Sequence, residues 1–483
     1  MRGNVRNPLD KDTAGGTMDI ETLSGLTLAQ LRAAYTRGTL DPVEVMEVTW
    51  AQIDRVNGAI NALYDLQRSA SLAAAKEASL RFRQGVSNGL LDGIPVSIKD
   101  SLPAAGMVWH HGTKIHGDGI IGTADALPTA RLKAAGAIIL GKTTMPDFGL
   151  SASGVSTYHG IVHNPWGMAW NTGGSSAGAG ASLAAGIAML SVGTDIAGSV
   201  RLPAGHCGLA ALKPTQGTIA YVRGYVHSPG TSSSAGPIVR HAADLETHLR
   251  LLGGVHDDDL LSVPVLEPTD GFAHVTVAVY RDFDFGPNVE DAVLAVLARA
   301  EVALGQSCHR VRAGTGRYDF DAYLPMDDAF KLRAWAEYRS VPEAMRHHTP
   351  MPLLHWFSEA QHWNAERIAQ VGEDIVKGNA QTAALFGDAD FLLTPVMPVV
   401  NFAAQTLGPD PTMPLRHCTF TAPFNQSGHP AVVIHAGFDA RGLPVGVQLV
   451  GKRFDDVRLC RLAAQLETQL WPDSRDWPLE PRA

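Results

Sequence analysis

The 483-residue chain is 45% hydrophobic and 18% charged, with a formal net charge of −9. No apolar run is long enough to span a bilayer, and an acidic balance is wrong for a general phosphate-binding surface, which rests on clustered Lys and Arg. Four cysteines, Cys207, Cys308, Cys418 and Cys460, lie far apart without a C-x-x-C pair, so neither a zinc site nor a disulfide framework is signalled and a reduced, cytoplasmic setting is expected.

Residues 1–17 are polar and lack the apolar segment of a secretory signal; they read as a disordered leader before Met18. Helical spacing begins with Leu28, Leu31 and Tyr35, and Gly38 ends that run. A second helix is predicted from an N-cap at Asp41, with Pro42 at its first position, Glu44 completing a capping box and Gly58 as the stop. Residues 18–90 are thus read as mostly helical. From Gly93 the texture changes to short apolar runs bounded by Gly and Pro: GIPVSIK, AIILGKT, MLSVGTD, VTVAVY, FLLTP, AVVIHAG and GVQLVG. Helical stretches such as ALPTARLKAAG and DVRLCRLAAQLETQL alternate with them, which predicts an α/β protein with a central mixed sheet covered by helices on both sides. Residues 315–380, rich in Trp, His, Met and Arg, read as a helical insertion over a cleft.

Three segments can carry chemistry. In Gly93–Asp100 strand alternation puts Ile94, Val96 and Ile98 on one face and Ser97 and Lys99 on the other. A lysine ending such a strand is either a solvated end or a desolvated base of lowered pKa. Asn171–Gly178 (NTGGSSAG) places Ser175 and Ser176 before a small-residue helix. It also satisfies G-x-S-x-G, and Gly178–Leu183 loosely imitates a dinucleotide loop, but both motifs need a buried strand running directly into them and the preceding stretch is turn-rich. In Gly193–Arg201 (GTDIAGSVR) a tight turn follows an apolar run and can aim several backbone N–H groups at one point, as an oxyanion hole requires.

Together these segments resemble the amidase signature family. Its Lys lies in GxPxxxKD, its relay serine is the first Ser of GGSS, and its nucleophile lies in G-[ST]-D-x-x-G-S-x-R; position by position these are Lys99, Ser175 and Ser199, the two serines 24 residues apart. The likeness extends to LTLAQLRAAYTRGTLDPVEV, GKTTMPDFG, LAALKPTQG, TAPFNQSGHPA and GLPVGVQLVGKRFDD. It implies one domain over 18–483 in the amidase signature fold, with the signature core at 91–260. It also implies a mechanism in which neutral Lys99 draws a proton through Ser175 from Ser199. The backbone N–H groups of Ile196, Ala197, Gly198 and Ser199 would hold the oxyanion, and the Ser175 peptide bond would be cis. Ala197 stands where the family often has Gly.

The expected substrates are small-molecule amides, with aryl amides, carbamates and esters included, and the expected state is a monomer or homodimer without nucleic-acid or membrane partners. Trp109, Gly149 and Leu150 are candidate substrate-binding residues, joined by Trp335, Tyr338, Met345, Met351, Trp356 and His362 in an apolar pocket. No arginine is identified that would receive a charged amide such as glutamine. The alternative is a glutamine amidotransferase component that works on charged tRNA; such proteins carry an SSLDQ-like segment where this chain has Thr231–Ala235 (TSSSA) before Gly236-Pro237. His159 and His163, and the pairs His110/His111 and His347/His348, fit no ligand frame and HExxH is absent, so neither metal nor cofactor is expected.

Overall fold

The computed structural model describes residues 18–221, 233–268, 275–307, 310–473 and 475–482. The leader, Cys308 and part of the Thr231–Ala235 segment lie outside them. Eleven strands form one sheet: β1 (Leu63–Tyr64), β2 (Pro95–Lys99), β3 (Ile138–Thr143), β4 (Leu190–Asp195), β5 (Ala210–Lys213), β6 (Ser234–Val239), β7 (Thr276–Val279), β8 (Arg310–Ala313), β9 (Phe391–Pro395), β10 (Ala431–Phe438) and β11 (Pro444–Gly451). Their order is β1-β3-β2-β4-β6-β5-β10-β11-β9-β7-β8. The trio β3-β2-β4 is parallel, as is β9-β7-β8, and the pairs between the two trios are antiparallel. The sheet is therefore mixed, as expected.

Side-chain alternation separates two cores. On one face Ile94, Val96, Ile98, Leu212, Val432 and Ile434 pack with residues of helices Leu28–Arg37, Leu245–Leu252, Asp291–Gln306 and Asp456–Leu470. On the other, Leu140, Ala211 and Val433 pack with helices Pro42–Ile60, Ala177–Ala184, Arg201–Cys207 and Tyr323–Ser340. Neighbouring residues of one strand serve opposite layers, which is the period-two pleat at work. Because Ala177–Ala184 carries only small side chains before Leu183, it lies close against the strands. A Cβ on Gly178 would stand 2.2 Å from the Ala62 carbonyl oxygen and 2.6 Å from the Thr144 nitrogen, so only glycine fits there.

The N-terminal helices depart from expectation in detail. Leu28–Arg37 ends at Gly38 with φ 68°, as predicted, but Pro42–Ile60 runs through Gly58 and closes on Asn61 with φ 54°. A single glycine inside a well-buried helix costs only about 1 kcal/mol, less than the packing of Ile60 behind it returns. Asp41 caps by accepting from the Val43 N–H, while Glu44 accepts from the Met18 N–H and forms no capping box. Among the described residues no helix is long and apolar enough to cross a membrane.

Candidate active site

The register of β2 on β4, with Val96 opposite Leu190 and Ile98 opposite Val192, brings the carboxyl ends of two parallel strands side by side. Lys99 closes one and Thr194-Asp195 the other. Lys99 is completely buried, and its Nζ lies 2.8 Å from Ser175 Oγ, 3.0 Å from Thr194 Oγ1 and 3.3 Å from the Thr194 carbonyl oxygen. Burial pulls its pKa down to about 7, against the pull of Asp195 and with the help of Arg333. A neutral amine has two N–H donors and one lone pair. Thr194 offers two acceptors, which leaves the lone pair for the Ser175 hydroxyl.

Ser175 precedes helix Ala177–Ala184, is joined to Gly174 by a cis peptide bond, and is almost fully buried. The next residue ties the two serine loops together, for the Ser176 N–H donates to the Ser199 carbonyl at 3.1 Å. Ser199 is half-buried. Its hydroxyl makes no hydrogen bond among the described residues, so Lys99 and Ser175 are in contact while Ser199 is joined to them only through the backbone of Ser176.

The turn carrying Ser199 is fastened from below by Asp195. Its carboxylate accepts from the Gly198 N–H at 2.7 Å and the Val200 N–H at 3.2 Å, and pairs bidentately with Arg201, whose Nε and Nη2 both lie at 3.0 Å. Arg201 is saturated in turn: Nη1 donates to the Thr421 carbonyl and Gln448, and Nη2 also to Asn425. Burial works to raise the Asp195 carboxyl, but the guanidinium and these donors hold it well below the usual carboxylate range. One consequence narrows the expected oxyanion hole. The Gly198 N–H is already committed to Asp195, whereas those of Ile196, Ala197 and Ser199 have no hydrogen-bond partner among the described residues.

Around Lys99, Ser175 and Thr194 the protein leaves a small cleft. Gly149 lines it. With φ +65° its Cα approaches Ser175 so closely that a Cβ would lie 3.3 Å from Ser175 Oγ. Trp109 and Leu150 do not line it. Trp109 pairs with Ile120 in a two-stranded ribbon and meets His116 edge-on, and Leu150 is buried in the core. The expected aromatic wall from the insertion is also absent from this cleft. Trp356 is buried and donates to Asp327, Trp335 stacks on Tyr338, and Met351 is exposed. Trp356 belongs to the core, against which Trp335, Tyr338 and Met345 pack.

The walls are His111, Met145, Phe148, Tyr221, Ile196 and, unexpectedly, Arg333. Arg333 lies on helix Tyr323–Ser340, so the insertion reaches the cleft through a cation. His111 is carried there by Asp100, the residue after the lysine, which accepts from the N–H groups of His110 at 2.9 Å and Gly112 at 2.8 Å and from the Tyr64 hydroxyl at 2.6 Å. Burial pulls the His111 imidazole pKa well below its usual value. Sequence reasoning missed Thr194, Asp195, Arg201, Asp100 and Arg333. The first four sit inside motifs already quoted, and Arg333 had no motif to mark it.

Comparison with known proteins gives a consistent result. The family model described as Amidase matches residues 44–460. A glutamyl-tRNA(Gln) amidotransferase component from Anaeromyxobacter dehalogenans is 30% identical, with 93% of this chain and 97% of that protein covered. An acylamidase of Rhodococcus erythropolis is also 30% identical, covering 95% and 98%. Among solved structures, 6-aminohexanoate cyclic dimer hydrolase superposes with a TM-score of 0.85 at 24% identity over 95% of this chain and 99% of that one. A bacterial aryl acylamidase gives 0.84 at 21% identity over 92% and 96%. The last two are likenesses of fold.

Proposed function

The chain belongs to the amidase family, and on that premise we propose that it hydrolyses the C–N bond of small-molecule amides through Ser199, Ser175 and Lys99. The observation that carries the proposal is the 2.8 Å contact between a fully buried Lys99 Nζ and Ser175 Oγ, with the lysine pKa lowered to about 7. A serine hydroxyl is a weak nucleophile without a base, and a lysine is a base only when unprotonated. Neutral Lys99 accepts the Ser175 proton as Ser175 takes that of Ser199, and Ser199 Oγ attacks the carbonyl carbon. The tetrahedral oxyanion is met by the N–H groups of Ile196, Ala197 and Ser199, each donor contributing roughly 3 kcal/mol to the transition state. Ser175 then passes the proton to the departing nitrogen, leaving an acyl-enzyme on Ser199 that water releases by the reverse path.

The 30% identical acylamidase supports acyl amides as substrates, and we extend the reading to aryl amides, carbamates and esters on the shared acyl chemistry. A second reading, a component of a glutamine amidotransferase, is favoured by the relative of that name. The two separate in one assay of the isolated chain against an acyl anilide, an aryl carbamate, propionamide and glutamine. Turnover without partner chains, lost in Ser199→Ala, supports the amidase. Activity confined to glutamine and dependent on added partner chains supports the other.

A further inference from the structure

Resting on the amidase reading, one buried cation in the cleft bears on the class of substrate. Arg333 is 7% exposed. Its Nη2 donates to the Phe148 carbonyl at 3.3 Å and to Glu337, one turn along the same helix, at 3.2 Å. Its Nε and Nη1 are buried and have no hydrogen-bond partner among the described residues. A guanidinium has five N–H donors, one on Nε and two on each terminal nitrogen. Three donors of a charged group are thus withheld from water and unmatched among the described residues.

Arg201 shows what an arginine with a purely structural task looks like in this fold: completely buried, with Nε, Nη1 and Nη2 all bonded to Asp195, Thr421, Gln448 and Asn425. Arg333 has half of that arrangement. Phe148 and Glu337 fix the plane of the guanidinium, and the remaining donors belong to a side chain that lines the same cleft as Lys99 and Ser175. Among the described residues no Asp or Glu lines that cleft. Lys99 does not compete for an anion while it serves as a neutral base. Phe148 adjoins Gly149, whose Cα approaches Ser175 Oγ, so the arginine is anchored one residue from the wall of the reacting centre.

We propose that Arg333 receives a carboxylate of the substrate, and that the preferred substrate is an amide carrying a carboxylate a few bonds from the scissile carbonyl, the half-amide of a dicarboxylic acid being its minimal form. An ionised carboxylate is an acceptor-only group, and its charge-assisted bonds to a guanidinium are among the strongest a site can offer. Burial strengthens the discrimination: an uncharged analogue that enters the cleft leaves the donors unmatched, which costs more than the lost bond alone.

The test reads binding without requiring turnover. A fluorophosphonate probe labels the wild-type nucleophile, and the labelling rate is followed against rising concentrations of succinamate or of its uncharged shape analogue 4-methylpentanamide. Succinamate is expected to protect at concentrations at least about tenfold lower, an advantage that Arg333→Met removes. Because loss of the arginine removes one partner of Glu337, the double variant Arg333→Met with Glu337→Gln is run beside it. The protection ratio is taken within each variant, so changes in basal labelling cancel. Equal protection by the two compounds in the wild type, or an advantage that survives in both variants, overturns the proposal while leaving the amidase reading intact. Absence of any labelling in the wild type overturns both.

Discussion

Lys99 Nζ and Ser175 Oγ stand 2.8 Å apart where neither residue is more than 3% exposed. Their separation is that of a hydrogen bond whose direction depends on pH. Below the lysine pKa the ammonium donates to Ser175 and the proposed relay is blocked; above it the amine accepts. With that pKa lowered to about 7 by burial, kcat/KM is expected to climb through neutrality and level off in mildly alkaline solution. A pH profile on a neutral amide checks this, and an optimum below about pH 6 contradicts it.

The same shift sets a stability cost. The unfolded chain binds the Lys99 proton below pH 10.5 while the folded chain does not until about 7, so across that window the unfolded state holds more protons and stability rises with pH. At neutrality the penalty is of order 4 kcal/mol, larger than the roughly 2 kcal/mol of stranding the Thr194 and Ser175 acceptors. Lys99→Met should therefore be inactive yet unfold at a higher temperature at pH 7, with the gain shrinking toward pH 10. Denaturation followed at both pH values decides it; a variant less stable than wild type at pH 7 would show that the lysine's contacts outweigh its desolvation.

Asp195 and Arg201 make the opposite case, a buried pair whose partners leave nothing unmatched. Asp195→Asn keeps the shape but strands the guanidinium, and is expected to cost about 3–5 kcal/mol in urea unfolding and to lower kcat by loosening the Ser199 turn. The exposed pair Arg68–Asp54, with side chains 47% and 60% accessible, is the control: Asp54→Ala should cost less than about 1 kcal/mol. Similar losses at the two sites would refute the anchoring role.

Gly149→Ala should damage catalysis without unfolding the protein. The added methyl would stand 3.3 Å from Ser175 Oγ and 3.2 Å from Met145 Cε on a backbone with φ +65°. Strain there is of order 1–3 kcal/mol, tolerable for a chain of this size, but the methyl projects at the relay. A drop in kcat/KM of at least about tenfold with a cooperative melt is expected. Undiminished activity would mean that Ser175 has room to move.

Strands of continuous apolar character were legible in the sequence because burial on both faces leaves an unbroken run: FLLTP, AVVIHAG and GVQLVG all lie in the sheet. The strand Ser234–Val239 was not, since Gly236-Pro237 interrupts its pattern, yet all six of its residues pair with β4. The contact between Lys99 and Ser175 was foreshadowed because backbone and chemistry constrain the same short motifs. The substrate side was not. Arg333 is one of many cations on a helix, and only its depth and its unmatched nitrogens set it apart. The aromatic residues of 315–380 misled for the usual reason, that large apolar side chains near a cleft are more often its foundation than its wall.

The most direct test of the relay is to trap the nucleophile. After reaction with a fluorophosphonate, peptide mapping by mass spectrometry should place one adduct on Ser199. Ser199→Ala should abolish labelling, and Ser175→Ala and Lys99→Ala should slow it by orders of magnitude, because members of one proton relay fail together. An adduct on another residue, or labelling of Lys99→Ala at the wild-type rate at neutral pH, would contradict the account.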